Sequence, residues 1–359
     1  MSIMVSNMFL KKIASNKIWL FSFFAAVFLI GFAATYFTLK ISKAFVKDPP
    51  GATPSSTSSE DGVNFGQQVG SVKEKGVYNT VFLGYGGVGH DGGMLTDSII
   101  VLNVNTNKKT ATLISIPRDL WVTGNHKINA EASINGFQNV GGVIKSVTGL
   151  EIDYFAAVDF SGFSKLIDNL GGIGVSVPKT FDDSFYPIKG KENDTCGKTP
   201  EEIADLKAKY SNSQLETQFT CRYERLHFDQ GPANLDGTTA LKFVRSRHGD
   251  SDFGRSERQF AVLKGILAKL VSLRSFEKTD NTIDTLVSMV KTNLSVPAIK
   301  SLLDIVGDTG TYKITELHLT TDNLLSEGKS AEGAYILYPK AGMLNFSEIK
   351  TAVSSSTGG

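Results

Sequence analysis

The sequence predicts an α/β domain carried behind one apolar span, on three observations. Apolar, β-branched runs bounded by Gly, Asn or Pro recur between residues 80 and 177. Stretches with helical spacing of apolar residues alternate with them, the pattern of α/β layering. Ile18–Leu39 carries no charge at all.

That uncharged run, with Trp19, Phe23, Phe28, Leu29 and Ile30 among its residues, is long enough for a helix of about 20 residues to cross a hydrocarbon core. Trp19 and Tyr36 lie near its ends, where amphipathic rings favour the interface. A cleaved signal peptide is the competing reading. The run exceeds a usual signal core, and Leu39–Val46 offers no good small-residue cleavage site, so a retained transmembrane anchor over 18–39 is expected. Flanking lysines tie, with Lys11, Lys12 and Lys17 on one side and Lys40, Lys43 and Lys47 on the other. The free N-terminal amine tips the expectation to a cytoplasmic tail, 1–17, and an extracytoplasmic main domain. Cys196 and Cys221 both fall in that domain and permit a disulfide in an oxidising compartment, two separate thiols being the alternative. Residues 1–47 hold six lysines and no acid, so the overall +1 becomes −5 beyond them. An acidic domain is a poor general binder of nucleic acid, and any phosphate affinity must come from a local cluster.

Residues 40–75, with DPPGATPSSTSSEDG from Asp48 onward, read as a flexible stalk. Ser354–Gly359 reads as an unstructured tail, and one domain is expected over 76–353. Strands are predicted at Thr80–Leu83, Ser98–Val104, Ala111–Ile116 and Ile152–Phe160. A helix follows at Ser161–Asn169, then Gly171-Gly172 and a strand at Ile173–Val177. Residues 188–225 are polar and lysine-rich and contain both cysteines, an inserted excursion that a disulfide would pin. From about Gly254 to Leu273, Phe260, Leu263, Ile266, Leu267, Leu270 and Val271 recur at helical spacing. Helices at Thr282–Met289 and Val296–Val306, strands at Ile314–Leu319 and Ala334–Leu337, and a short helix at Phe346–Val353 complete the expectation.

Arginine is scarce and its placement informative. Four of eight arginines lie between Arg245 and Arg258, in FVRSRHGDSDFGRSERQ. An extended Phe243–Arg247 puts Arg245 and Arg247 on one face; a helical one needs the following loop to bring them together. Arg255, Arg258 and Gln259 are spaced to share one face at the start of the long helix. Guanidinium forks added to a helix N-terminus suit a phosphate or pyrophosphate; the bland alternative is a surface salt-bridge lattice with Asp250, Asp252 and Glu257. A second candidate is Ser115–Asp119. Pro117 ends the strand there and leaves Arg118 and Asp119 at its carboxyl end, where open α/β sheets place ligands; a turn with a local ion pair is the alternative. The third is the glycine-rich loop Gly84–Ser98, whose Asp91 and Asp97 are candidate carboxylates for a magnesium ion. It lacks the P-loop lysine, which disfavours a nucleotide triphosphatase. No HExxH or G-x-S-x-G element is present.

LTDSIIVLNVN (95–105), SIPRDLWV (115–122), KINA (127–130), GLEIDYFAAVDFSGFSKLIDNLGGIGVSV (149–177) and LDGTTALKFVRSRHGDSDFGRSERQ (235–259) together resemble the LytR–CpsA–Psr family of bacterial envelope proteins. The resemblance implies an anchored, extracytoplasmic three-layer α/β/α sandwich with a mixed central sheet. It implies a phosphotransferase assisted by Mg²⁺ or Mn²⁺, moving a glycopolymer from a polyprenyl pyrophosphate carrier to a peptidoglycan hydroxyl at the membrane. Arg118, Arg245, Arg247, Arg255, Arg258 and Gln259 would then bind the pyrophosphate, and Asp97 would hold the metal. Asp119 would orient Arg118 or assist proton removal, with the polyprenyl tail in an apolar tunnel between sheet and helices. The sequence departs from the family's LGxDxR, since LGYGGV (83–88) has Gly86 and Val88 at the aspartate and arginine, and Leu95 stands where a further arginine is usual. Asp91, with His90 nearby, is the expected replacement ligand. A non-catalytic lipid-pyrophosphate binder and a polyprenyl pyrophosphate phosphatase are the rival functions.

Overall fold

The structure is a computed structural model that describes residues 69–358 apart from 71, 91 and 274–284. The predicted anchor, the cytoplasmic tail and the stalk up to residue 68 lie outside the described residues. Among those described, no helix is long and apolar enough to cross a membrane.

The chain builds β1 (Val77–Tyr85), β2 (Thr96–Asn105), β3 (Thr110–Ser115) and the hairpin β4 (Trp121–Val122) and β5 (His126–Lys127). There follow α1 (Glu131–Asn135), α2 (Val140–Thr148), β6 (Tyr154–Asp159), α3 (Phe160–Asn169), β7 (Ile173–Val177) and β8 (Phe181–Pro187). Then come α4 (Pro200–Lys209), β9 (Tyr223–Phe228), β10 (Gly231–Leu235), α5 (Gly237–Arg245) and α6 (Asp252–Leu273). The last elements are β11 (Lys291–Thr292), α7 (Val296–Val306), β12 (Lys313–His318), β13 (Leu325–Lys329), β14 (Tyr335–Pro339) and α8 (Ser347–Thr357).

The central sheet runs β11-β6-β1-β2-β3-β12. It is mixed: β1 is antiparallel to β2 and parallel to β6, and β12 is parallel to β3. Alternation along β1 and β2 divides two faces. Val81, Leu83, Tyr85, Ile99 and Val101 pack with Val143, Ile144 and Val147 of α2 and with Ile349 and Val353 of α8. On the other face Ile100 and Leu113 meet Phe260 and Leu263 of α6. Helices thus cover both faces in a three-layer sandwich. The opposite side of α6 is also apolar: Ala261 and Val262 pack with Ile173, Val175 and Phe243 in an outer cluster around β7, α3 and α5. A helix apolar on all sides belongs in the interior.

Close approach of α6 to β7 depends on Gly265, where a Cβ would sit 2.6 Å from the Gly174 carbonyl oxygen. Gly265→Ala is expected to destabilise the domain by about 1–3 kcal/mol through overpacking, read as a lower midpoint in urea unfolding with an unchanged slope.

Two boundaries differ from the sequence expectation. Val69 donates to the Asn293 carbonyl at 2.7 Å and accepts from Ser295 Oγ at 2.8 Å, and Lys75 pairs with Asp153. Val69 and Lys75, expected to lie in the stalk, therefore belong to the folded domain. The tail expected to be unstructured from Ser354 is helical through Thr357, held by buried Ile349 and Val353 and by a Thr112 hydroxyl donating to the Ser356 carbonyl at 2.9 Å. Of the two readings of Phe243–Arg247, the helical one holds: α5 runs helical to Arg245.

Candidate anion and lipid site

Tyr85 at the carboxyl end of β1 is flanked by Thr96 of β2 on one side and Asp159 of β6 on the other. Beside this junction opens a cavity of about 790 Å³ between the sheet and the α6 layer. Tyr78, Thr80, Phe82 and Gly84, one face of β1, line its length, which at 3.4 Å per residue is about 20 Å. Leu263, Leu267, Leu302 and Val306 form much of the opposite wall. Asp97, Arg118, Arg245, Arg247, Arg255 and Gln259 all line this cavity. Ser98 Oγ donates to Gln259 Oε1 at 3.1 Å, which ties the start of α6 to the start of β2. An apolar channel therefore ends in a cationic mouth.

Arg118 and Arg245 are each held by a local device. The Pro117–Leu120 turn closes through Leu120 N to Pro117 O at 3.1 Å, Asn129 N to Arg118 O at 3.2 Å and Leu337 N to Asp119 O at 2.9 Å. From that turn Arg118 Nη1 donates to Asp97 Oδ1 at 2.6 Å, and its Nε lies 3.5 Å from Asp119 Oδ2. Lys127 Nζ donates to Asp119 Oδ1 at 2.6 Å. Burial alone would lower the Arg118 pKa, but hydrogen bonds and charge from Asp97 and Asp119 raise it above its ordinary value. Its cation persists at any working pH. Asp119, gripped by two cations, orients Arg118. Arg245 stacks over Phe160 at 4.0 Å. It closes α5, and the turn through Ser246 brings Arg247 to the same cavity, so a helix plus a turn achieves what an extended segment would also have done.

Arg258 is the exception among the predicted anion ligands. It is 2% exposed, with Nε donating to the Phe243 carbonyl and Nη2 to the Ser246 carbonyl, both at 2.7 Å. Nη1 bonds Asp250, and the guanidinium lies 4.0 Å from the Phe181 ring. It satisfies the carbonyls at the end of α5 and so positions Arg245 and Arg247, without reaching the cavity. Asp91 lies outside the described residues. Cys196 and Cys221 are joined in a disulfide that closes the insertion between β8 and β9.

The residues suit magnesium only in one manner. The described residues bring three His, Cys, Asp or Glu ligand atoms together only at Asp194, Cys196 and Cys221, and those sulfurs are bonded to each other. At the mouth, a Cβ on Gly86 would lie 3.0 Å from His90 Cβ and 3.5 Å from Gly93 Cα, so a side chain there would press on the loop. Asp97, 44% exposed at its side chain, fits a magnesium held by one carboxylate, waters and phosphate oxygens rather than by a protein cage.

Two further groups at or beside the site were not singled out from sequence. Asp159 ends β6 and lines the cavity, and Lys127 braces Asp119. Asp159 was detectable as a carboxylate at the carboxyl end of a predicted strand, the position where such sheets bind ligands; Lys127 opens the KINA motif, but nothing in that motif pointed to Asp119.

Fold and site together define an α/β/α protein that encloses an apolar cavity and presents arginines at its mouth. The chain belongs to the LytR_cpsA_psr family, which matches residues 42–349. Over 273 residues it is 28% identical to the "Polyisoprenyl-teichoic acid--peptidoglycan teichoic acid transferase TagV" of Bacillus subtilis (strain 168), covering 73% of this chain but 61% of TagV. Over 272 residues it is 26% identical to the transferase of the same description, TagU, of that organism, covering 74% of each. The crystal structure of B. subtilis TagV superposes with a TM-score of 0.57 at 25% identity, covering 80% of this chain and 99% of that one. TagT bound to LI-WTA shares the fold, with a TM-score of 0.53 at 23% identity, covering 82% of this chain and 97% of that one.

Proposed function

We propose that this protein is a membrane-anchored, magnesium-assisted phosphotransferase that moves a glycopolymer from a polyprenyl pyrophosphate carrier to a peptidoglycan hydroxyl outside the cytoplasm. The observation that carries this reading is the 790 Å³ apolar cavity with four arginines at its mouth, the shape and charge of an isoprenoid tail with a diphosphate head. The names of TagV and TagU support the choice of donor and acceptor. Phosphoryl transfer depends on positioning and charge neutralisation more than on covalent chemistry. Arg118, fixed by Asp97 and Asp119, and Arg245, Arg247 and Arg255 neutralise the diphosphate and hold it for displacement. Asp97 is the residue that would hold magnesium, which when bound supplies further neutralisation of the phosphate oxygens. The channel wall keeps the tail immobile and excludes water around it.

The test is incubation of the full-length protein with a labelled glycan on polyprenyl pyrophosphate and purified peptidoglycan. Label is expected on the peptidoglycan. Tight donor binding without turnover would make the protein a binder, and release of lipid phosphate without acceptor labelling would make it a phosphatase. Chelation is expected to lower transfer by at least about tenfold, with Mg²⁺ or Mn²⁺ restoring it, because one lost electrostatic contact costs about 10²–10³-fold. Equal rates with and without chelator would remove the metal from the scheme.

A further inference from the structure

We propose that Asp159 is the general base that takes the proton of the acceptor hydroxyl, an inference resting on the phosphotransfer reading above. Among the described residues, Asp97 at the mouth and Asp119 next to Arg118 are both engaged by cations: Asp97 by Arg118, Asp119 by Arg118 and Lys127. A hydroxyl approaching either carboxylate meets a cation already seated on it. Asp159 differs. Its Oδ1 accepts from Gly162 N at 2.7 Å and caps α3, while Oδ2 has no hydrogen-bond or ion-pair partner among the described residues. The side chain is half-buried at the cavity mouth. The loop beside it is shaped to leave it open: Gly87 has φ of +83°, and a Cβ there would lie 2.8 Å from Asp159 Cβ and 3.1 Å from Oδ2.

Its position fits the stereochemistry of displacement. Thr96, next to Asp97, and Asp159 flank Tyr85 from opposite sides, so with strands about 4.8 Å apart their backbones are about 10 Å apart. Gly84, Gly86 and Gly87 lie between them without side chains. In-line transfer places the attacking and leaving oxygens on opposite sides of phosphorus. Arg118 and Asp97 serve the leaving side, and Asp159 faces the attacking one. The acceptor O–H proton passes to Asp159 Oδ2, and the oxygen's electron pair forms the new P–O bond. The bond from that phosphorus to the bridging oxygen breaks, polyprenyl phosphate departs with its electron pair, and Asp159 later returns the proton to water.

The test uses full-length Asp159→Asn and Asp159→Ser, both of which keep an oxygen to cap α3 but remove the base. The expected result is a 10²–10⁴-fold lower kcat for glycan transfer, the usual worth of a general base, with polyprenyl pyrophosphate affinity within about threefold of the unaltered protein. Transfer within about threefold of normal in either folded variant would overturn the assignment. So would a loss of turnover matched by an equal loss of donor affinity, which would put Asp159 on the donor. Absence of transfer by the unaltered protein would instead overturn the phosphotransfer reading itself.

Discussion

Arg118→Ala is expected to lower glycan transfer by about 10²–10³-fold, the loss typical of a preorganised contact to transition-state charge. The expectation rests on how completely the guanidinium is prearranged. The Pro117–Leu120 turn is closed by backbone bonds, and Asp97 and Asp119 hold the fork on two sides. None of that ordering has to occur at the moment of reaction. Thermal stability should change little, because the side chain is 30% exposed and its partner Asp97 44% exposed, and exposed pairs contribute at most about 1 kcal/mol. Arg118→Lys keeps a charge but not the planar fork, so it should recover only part of the activity. A variant with normal kcat and weakened donor binding would show that Arg118 merely attracts the ligand.

Arg258→Met should do the opposite, losing stability first and activity as a consequence. Removing one partner of a buried charge pair costs about 3–5 kcal/mol, a large share of the about 5–15 kcal/mol that holds a domain together. Here the partner is Asp250, whose side chain is 6% exposed and whose Oδ1 lacks a hydrogen-bond partner among the described residues. The Phe243 and Ser246 carbonyls lose their donor in the same step. Urea unfolding of Arg258→Met, Asp250→Asn and the double variant measures this directly. The double variant should be more stable than the sum of the single losses predicts, because it leaves no unpaired charge. A fully stable Arg258→Met with impaired donor binding would return Arg258 to the anion site.

Arg258 also marks where sequence reading ran out. Spacing put Arg255, Arg258 and Gln259 on one face, yet at about 100° per residue Arg258 lies about 60° to one side of Arg255 and Gln259 about 40° to the other. On a helix buried on both sides that divergence decides everything: Gln259 reaches the cavity and Ser98, while Arg258 turns to α5. Nothing local reveals that α6 has two buried faces, because the outer layer that covers it is assembled from residues 160–245. By contrast Asp97 and Arg118 were legible, since each adjoins a strand whose apolar run was plain. The hairpin strand β13 was missed because LSEGK carries no apolar alternation and pairs only with β14. The final helix was cut short at Val353 because Ser354–Ser356 has weak helix propensity, which Ile349 and Val353, one turn apart and fully buried, override.

The account stands on one physical claim: the cavity receives an isoprenoid tail while the arginines hold its diphosphate. Affinity of the full-length protein for diphosphates of increasing isoprenoid length tests it most directly, with inorganic pyrophosphate as the zero-length member. At about 0.8 kcal/mol per buried CH₂, each added five-carbon unit should lower Kd by at least about tenfold until the channel is full, after which Kd should level off. In Arg118→Ala the whole series should shift to weaker binding with its slope unchanged. A Kd independent of tail length would contradict the claim, leaving the cavity as packing space and the arginines as a site for some other anion.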